Sequence, residues 1–325
     1  MAKKMSFAAE AERLGDALPD SRYATLRRLV QDPGNKVVVS LGGGALAGLC
    51  GNVALWRILE ELELAHEVDE IWGTSAGAVI AGGWASGAKA HDVLERVGGL
   101  GEKGAVDIGM TRFVLRMLSS LWPFRRPLPN GVVRGKRFRD TIEGGLRVKT
   151  FEECPIPLRC VVCTDRGRPQ ARVLQRGELL PAIYASMSLP GIMVPIPIDG
   201  VTYYDGGLVE KTPLRSILAD HGRSSDDRKL VVIATHFIDS ADDEPAQSFL
   251  ARLLHSLYAL EDTLWSYQLN EARQKDDLTL LLLDPYIEEP ALFAFENTVK
   301  HYLTARARFA NDLQDARIIS TLGTG

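Results

Sequence analysis

The stretch that most constrains the fold is Gly73-Thr74-Ser75-Ala76-Gly77, a G-x-S-x-G pentapeptide. The residues just before it predict a short strand, and residues 76–85, rich in Ala and Gly, predict a closely packed helix. A sharp strand-to-helix turn lifts the serine clear of the sheet and points the helix N-terminus at its hydroxyl, while the two outer glycines let the backbones pass closely. The pattern favours Ser75 as a nucleophile, although a tight, non-catalytic turn also fits these five residues.

The composition is that of a globular protein with one large α/β domain or two smaller ones: 325 residues, 46% hydrophobic and 25% charged. A net charge of -4 argues against extensive nucleic-acid binding. We expect no transmembrane segment, because no run of 18 apolar residues occurs. The first residues lack the apolar region of a secretory signal, so we expect a cytoplasmic protein.

The four cysteines do not suggest a disulfide framework. Cys160 and Cys163 have C-x-x-C spacing, but residues 157–164 predict a buried strand. Side chains three apart on a strand point to opposite faces, so these two thiols are poorly placed to chelate one metal. We therefore predict apolar packing for both cysteines and no metal site.

A glycine run follows the first predicted strand, residues 36–41, and leads into a helix from about Leu46 to Leu64. Backbone N–H groups of such a run converge beside a helix N-terminus and can bind an anion. A dinucleotide would fit because Gly42, Gly44 and Ala47 satisfy a relaxed G-x-G-x-x-G/A pattern. Dinucleotide binding also needs an acidic residue after the next strand, but this chain has the serine turn at that position. We therefore favour an oxyanion hole formed by Gly42, Gly43 and Gly44, with no cofactor.

The segment 112–139 combines apolar and basic character. It contains eight basic and no acidic residues, and the stretch 113–124 within it is strongly apolar. This combination suits the surface of an anionic membrane. A helix buried against the core with a solvated basic loop fits the same residues.

The remaining chain predicts a single α/β unit with helical ends. We expect an N-terminal helical extension over 1–34, an α/β domain over 35–285 with an insertion at 100–140, and a C-terminal helical region over 286–325. Asp205-Gly206-Gly207 follows a short predicted strand. The two glycines predict that the carboxylate of Asp205 is exposed at a loop that other backbone can approach.

Four motifs stand in a fixed order: the glycine run at 42–44, the serine pentapeptide at 73–77, Ala-Ser-Met-Ser-Leu-Pro-Gly at 185–191 and Asp-Gly-Gly at 205–207. Together they resemble the patatin-like phospholipase family over roughly residues 36–235. The resemblance implies a three-layer α/β/α fold with a mainly parallel central sheet.

The resemblance also implies the chemistry. Ser75 would be the nucleophile and Asp205 the base of a Ser-Asp dyad, acting on a lipid or phospholipid without a metal, and Gly42 to Gly44 would form the oxyanion hole. The chain departs from the family at Ala47, where an Arg or Lys is usual before the last glycine of the first motif.

Three alternatives remain open from the residues. His236 follows a predicted strand and would complete a Ser-Asp-His triad in the right order. A membrane-surface binding protein with a weakened site is suggested by Ala47 and the segment 112–139. A nucleotide-binding oxidoreductase is the third. The motifs leave the substrate open among phospholipid, lysophospholipid, glyceride and simple ester, and no oligomeric state is predicted.

Overall fold

A computed structural model describes residues 6–15, 18–102, 131–133, 136–164, 166–237, 249–285, 298–315 and 317–318. The helices in these ranges are α1 (Phe7–Leu14), α2 (Ala24–Gln31), α3 (Ala45–Glu61), α4 (Ala76–Ala85), α5 (Ala90–Glu102), α6 (Lys136–Gly145), α7 (Leu179–Ser186), α8 (Leu214–His221), α9 (Phe249–Ala272) and α10 (Thr298–Asp312). The strands are β1 (Asn35–Leu41), β2 (Glu70–Thr74), β3 (Gly131–Val133), β4 (Leu158–Thr164), β5 (Ala171–Leu174), β6 (Gly191–Met193), β7 (Pro197–Ile198), β8 (Val201–Asp205), β9 (Lys229–Thr235) and β10 (Leu278–Leu283).

The central sheet has the strand order β10-β9-β1-β2-β4-β8-β7, and β5 pairs with β4 outside this path. Neighbouring strands from β10 to β4 run parallel, whereas β5 and β8 run antiparallel to β4. The interior strands β1 and β9 are buried along nearly their whole length, as strands covered on both faces must be. Their runs of Val, Ile and Leu suit that burial.

Helices cover both faces of the sheet. Along β1, Val37 and Val39 enter the larger core, which also contains residues of α3, α4 and α10. Val38, between them, belongs to a second core together with Leu214 of α8 and Ala272 of α9. Successive side chains of a strand point to opposite faces, so one strand supplies both cores. The predicted three-layer α/β/α fold with a mainly parallel sheet is confirmed.

The terminal helices pack on the larger core. Ala8 and Ala11 of α1 are fully buried there, and Phe309 of α10 joins them. The proposed domain boundaries stay predictions. Residues 112–130, 134 and 135 of the basic segment lie outside the described residues, as do residues 286–297 of the C-terminal region. Among the helices described, none combines the length and apolar character needed to cross a bilayer.

The two cysteines of the C-x-x-C lie on β4, as predicted. Cys160 is buried in the larger core, and burial raises the pKa of its thiol. Cys163 is also buried, and it is not part of a disulfide. Since the two are three residues apart on a strand, they face opposite sides of the sheet. Both therefore serve as packing residues.

One feature of the sheet places the functional residues: β2 and β8 share an edge of β4. Thr74, the last residue of β2, pairs with Val161, and Asp205, the last residue of β8, pairs with Val162. The opposite edge of β4 is occupied by β5 along the same residues. Because β2 runs parallel and β8 antiparallel to β4, their ends meet, and the residues that follow them come together.

Candidate active site

Ser75 forms the turn between β2 and α4, in the strained backbone conformation φ 55°, ψ -123°. The neighbouring backbones leave no space for side chains on either side. A Cβ on Gly73 would lie 2.6 Å from Cα of Ala78, and one on Gly77 would overlap the carbonyl oxygen of Leu41. The turn therefore has the geometry of a nucleophile elbow, which only glycines at these two positions permit.

The elbow is fixed by a serine from a different motif. The N–H of Ser75 donates to Oγ of Ser186 at 2.9 Å, and that hydroxyl donates to the carbonyl of Val161 at 2.7 Å. Ser186 is fully buried at the end of α7. Its hydroxyl thus ties the nucleophile turn to β4.

The hydroxyl of Ser75 donates to Oδ2 of Asp205 at 2.8 Å. The other oxygen, Oδ1, accepts from the N–H of Gly207 at 2.8 Å, which fixes the carboxylate orientation. Gly206 is needed beside it, because a Cβ there would overlap the carbonyl of Val161. Asp205 is only 6% exposed. The prediction that its carboxylate is exposed was therefore wrong, because the ends of two strands and the serine turn enclose it.

Burial shapes the acidity of Asp205. Desolvation raises the pKa of its carboxyl group from 3.8 to about 6, against the lowering effects of the Gly207 N–H, the Ser75 hydroxyl and the positive charge of Lys211. A carboxyl group with this pKa is ionised at neutral pH and is a stronger base than an ordinary aspartate. It is therefore suited to accept a proton from a serine hydroxyl.

The glycine run needs a correction. The N–H of Gly42 donates to Oγ1 of Thr235 at 2.9 Å, and the N–H of Gly43 donates to the carbonyl of Lys211 at 2.9 Å. These two amides hold the loop to neighbouring segments and are not open to an oxyanion, contrary to the three-amide prediction. The carbonyl of Gly42 in turn accepts from Nδ2 of Asn52 at 2.9 Å.

Gly44 remains as a candidate oxyanion donor. Its N–H has no acceptor among the described residues, and the same holds for the N–H of Ala76, the first residue of α4. Both residues line the cavity at the serine. Position 44 also requires glycine, because a Cβ there would lie 2.8 Å from Cβ of Phe237. The loop thus offers one free amide, and the nucleophile helix offers another.

The cavity in front of Ser75 has a volume of about 130 Å³. Asp205 is at one side together with Lys211 and Glu261. Most other lining side chains are apolar: Leu46, Leu49, Val79, Phe138, Met187, Leu189, Ile192 and Met193. The arrangement can bind a long apolar group with a reactive carbonyl at the serine.

The sequence pattern of one known family matches this part of the chain. The description of that family is patatin-like phospholipase, and its match covers residues 39–218, more than half of the chain. The chain belongs to the patatin-like phospholipase family. The match includes the glycine run, the serine elbow and the Asp-Gly-Gly segment, which the structure brings to one cavity.

Two named relatives are much longer than this chain. Patatin-like phospholipase domain-containing protein 7 of Rattus norvegicus is 29% identical over 227 residues, which are 69% of this chain and 15% of the relative. A lysophospholipase of Mycosarcoma maydis is 30% identical over 194 residues, 59% of this chain and 9% of that enzyme. The chain thus spans a small part of the length of these relatives. Among solved structures, VipD from Legionella pneumophila has a TM-score of 0.40 and 13% identity, covering 86% of this chain and 67% of that one.

His236 lies apart from the serine of this patatin-like site. Its Nδ1 is 2.9 Å from Oγ1 of Thr212, and its ring stacks on Trp265 with the ring centres 4.2 Å apart. Burial and, to a lesser extent, the charge of Lys211 lower the pKa of His236 to about 3. Since Ser75 donates directly to Asp205, no imidazole stands between them, and the triad alternative is wrong for this geometry.

Two charged residues at the patatin-like site were missed by the sequence analysis. Lys211 and Glu261 line the cavity, and Nζ of Lys211 is 3.5 Å from Oε2 of Glu261. Lys211 is six residues after Asp205, and this proximity in sequence was the signal available. Glu261 is on α9, a helix whose sequence pattern gives no indication that it reaches the serine. The usual basic position before the last glycine of the first motif is Ala47, which is half-buried.

Proposed function

We propose that this chain is a serine lipid acyl hydrolase of the phospholipase A or lysophospholipase type, with Ser75 and Asp205 as its catalytic dyad. The observation that carries the proposal is the 2.8 Å hydrogen bond from Ser75 to Asp205 at a strained nucleophile elbow. Membership of the patatin-like phospholipase family supports lipid hydrolysis as the class of reaction.

In the first step, Oγ of Ser75 attacks the ester carbonyl while its proton passes to Asp205. The carbonyl oxygen becomes an oxyanion, which the N–H groups of Gly44 and Ala76 are placed to bind. One such donor contributes about 3 kcal/mol to the transition state. The bond to the leaving alcohol then breaks, and the alcohol takes the proton from Asp205. The acyl group stays on Ser75 as an ester.

In the second step, water replaces the alcohol. Asp205 takes a proton from the water as its oxygen attacks the acyl-enzyme, and Ser75 regains that proton when the fatty acid leaves. The dyad and the amides supply every proton transfer and the charge stabilisation. We therefore propose that the reaction needs no metal, and full activity in excess EDTA is the expected result.

The substrate is proposed from the cavity walls. The apolar lining next to Ser75 suits a fatty acyl chain, because burial of each methylene group contributes about 0.8 kcal/mol. The name of the Mycosarcoma maydis relative adds a lysophospholipid to the candidate substrates. We further propose that the segment 112–139 contacts the membrane surface during hydrolysis, because its sequence is apolar and basic.

A lipid-panel hydrolysis assay tests the proposal. Wild type is compared with Ser75→Ala and with the control Ser224→Ala, whose serine is exposed and distant in sequence from every motif. We expect Ser75→Ala to lose at least about 10³-fold in kcat and the control to keep full activity. A fluorophosphonate probe should label Ser75 in wild type. Absence of both labelling and hydrolysis in folded protein would refute the proposal and favour a membrane-surface binding protein.

A further inference from the structure

The ion pair between Lys211 and Glu261 has an unusual location. The two side chains are only 6% and 11% exposed, and both line the cavity that contains the dyad. Lys211 follows β8 in the chain, and Glu261 comes from α9 on the covering layer. Bringing two charges out of water costs more free energy than a typical ion pair returns. Fold stability is therefore a poor explanation for this pair.

The pair is next to the proposed general base. A methyl group placed on Gly207 would lie 3.1 Å from Oδ1 of Asp205 and 3.3 Å from Oε1 of Glu261, so roughly one methyl group separates the two carboxylates. On the other side, the Lys211 charge favours the ionised form of Asp205 and lowers its pKa. Asp205 thus has a cation and a second carboxylate as neighbours in a poorly solvated space.

The backbone of Lys211 connects the same groups. Its carbonyl accepts the N–H of Gly43, which precedes the free amide of Gly44. Its Cγ would lie 3.7 Å from a Cβ on Gly43, and the Cβ of Ser75 would lie 3.1 Å from the same point. The side chain of Lys211 therefore passes directly over the glycine run on its way to Glu261.

We propose that Lys211 and Glu261 are a pair of positioning residues that sets the charge of Asp205, with Lys211 favouring the carboxylate that accepts the serine proton and Glu261 opposing it. This inference rests on the proposed function of the dyad. At short range and low polarity each charge acts strongly on Asp205. Removal of Lys211 therefore favours the protonated form of Asp205, and removal of Glu261 favours the carboxylate. Opposite effects of the two partners are the signature of this role.

Several other polar and charged groups lie around Asp205 or near Lys211. The Ser75 hydroxyl faces it from the elbow, and the buried hydroxyls of Ser186 and Ser188 belong to α7 and the loop after it. The charge of Lys211 also acts on His236 after β9 and on Asp284 after β10. His236 is held neutral by its low pKa, and desolvation raises the pKa of Asp284 to about 6. Among the residues that the structure describes, Lys211 is thus the cation whose charge lowers the pKa of Asp205.

The test measures how kcat/KM for p-nitrophenyl butyrate, and the rate of fluorophosphonate labelling of Ser75, depend on pH. Both should rise with pH as the general base ionises, and this rise is the acidic limb of the pH profile. In Lys211→Met the acidic limb should move to higher pH by about half a unit or more, and in Glu261→Gln it should move to lower pH. Lys211→Arg keeps the charge and should restore the wild-type limb.

Lys36 supplies a matched control. It is 7% exposed and pairs with Glu70 at 2.7 Å, but it lies near the start of the interior strand β1, whereas Ser75 follows the last residue of the neighbouring strand β2. Lys36→Met should lower the melting temperature and leave the acidic limb unchanged. Circular dichroism establishes that each variant is folded.

The outcomes separate the two proposals. Folded Lys211→Met and Glu261→Gln variants whose limbs move in the same direction, or do not move, would overturn the pair's role. If Lys211→Met does not fold, Glu261→Gln decides alone, because an unchanged or raised limb there contradicts the inference. Wild type that is never labelled at Ser75 would instead refute the dyad itself.

Discussion

Replacing Asp205 by Asn should abolish activity and at the same time stabilise the fold. The pKa of this carboxyl group is 3.8 in an ordinary setting and about 6 in the folded chain, so the folded state binds the proton more tightly than the unfolded state does. Stability is therefore lost as pH rises through this window and the buried group ionises. At 1.36 kcal/mol per pH unit, the cost above pH 6 is about 3 kcal/mol. Asn has nearly the same shape and never ionises.

Urea unfolding of wild type and Asp205→Asn at several pH values measures this difference. Below pH 4 the two proteins should have similar free energies of unfolding. As pH rises, the variant should become more stable than wild type, and the difference should reach about 3 kcal/mol above pH 6. Asp199→Asn, at an exposed turn, is the control for the substitution itself, and its free energy of unfolding at pH 8 should stay within about 0.5 kcal/mol of wild type. A variant that is less stable than wild type at pH 8, or a difference that does not change with pH, would refute the reasoning.

Further predictions concern pH, the histidine and the elbow. The wild-type kcat/KM should rise with pH around an apparent pKa near 6 as Asp205 ionises, and a pH-rate profile measures this. His236→Ala should keep activity within a few-fold and lower the free energy of unfolding by about 2 kcal/mol, because the stack on Trp265 is lost; an assay beside a urea titration separates the two effects. Ser186→Ala should lower kcat about tenfold while Ser75 is still labelled, since the elbow N–H loses its acceptor. Gly77→Ala should cost about 3 kcal/mol, seen in thermal melting, because its Cβ meets the carbonyl of Leu41.

Local patterns predicted the elements of this chain well where neighbouring residues decide the structure. The helix over 76–85 has the bounds that the sequence indicates, and the strand predicted over 157–164 begins only one residue later, at Leu158. Small residues and runs of β-branched residues carry this information, because the spacing of apolar residues along a helix or strand reflects which of its faces is buried. The residues 112–130 remain a sequence prediction alone.

The site was predicted in part. Ser75 and Asp205 could be chosen from their motifs, but their separation by 130 positions leaves the 2.8 Å contact to the tertiary structure. The use of the Gly42 and Gly43 amides by Thr235 and Lys211 also depends on distant segments. A glycine run predicts where backbone amides converge. It does not predict which of these N–H groups will donate to an acceptor on another part of the chain.

The sequence alone thus determined the serine turn and many of the helices and strands, because these follow from short-range sterics and periodicity. The layered α/β/α fold and the residues of the Ser-Asp dyad were implied by the resemblance of four motifs to the patatin-like phospholipase family. Only the tertiary structure decided that β2 and β8 meet on one edge of β4, that Asp205 is buried and that Lys211 and Glu261 stand beside it. The physical reason is that desolvation and charge act through space. Both depend on which segments pack together, and no local pattern encodes that packing.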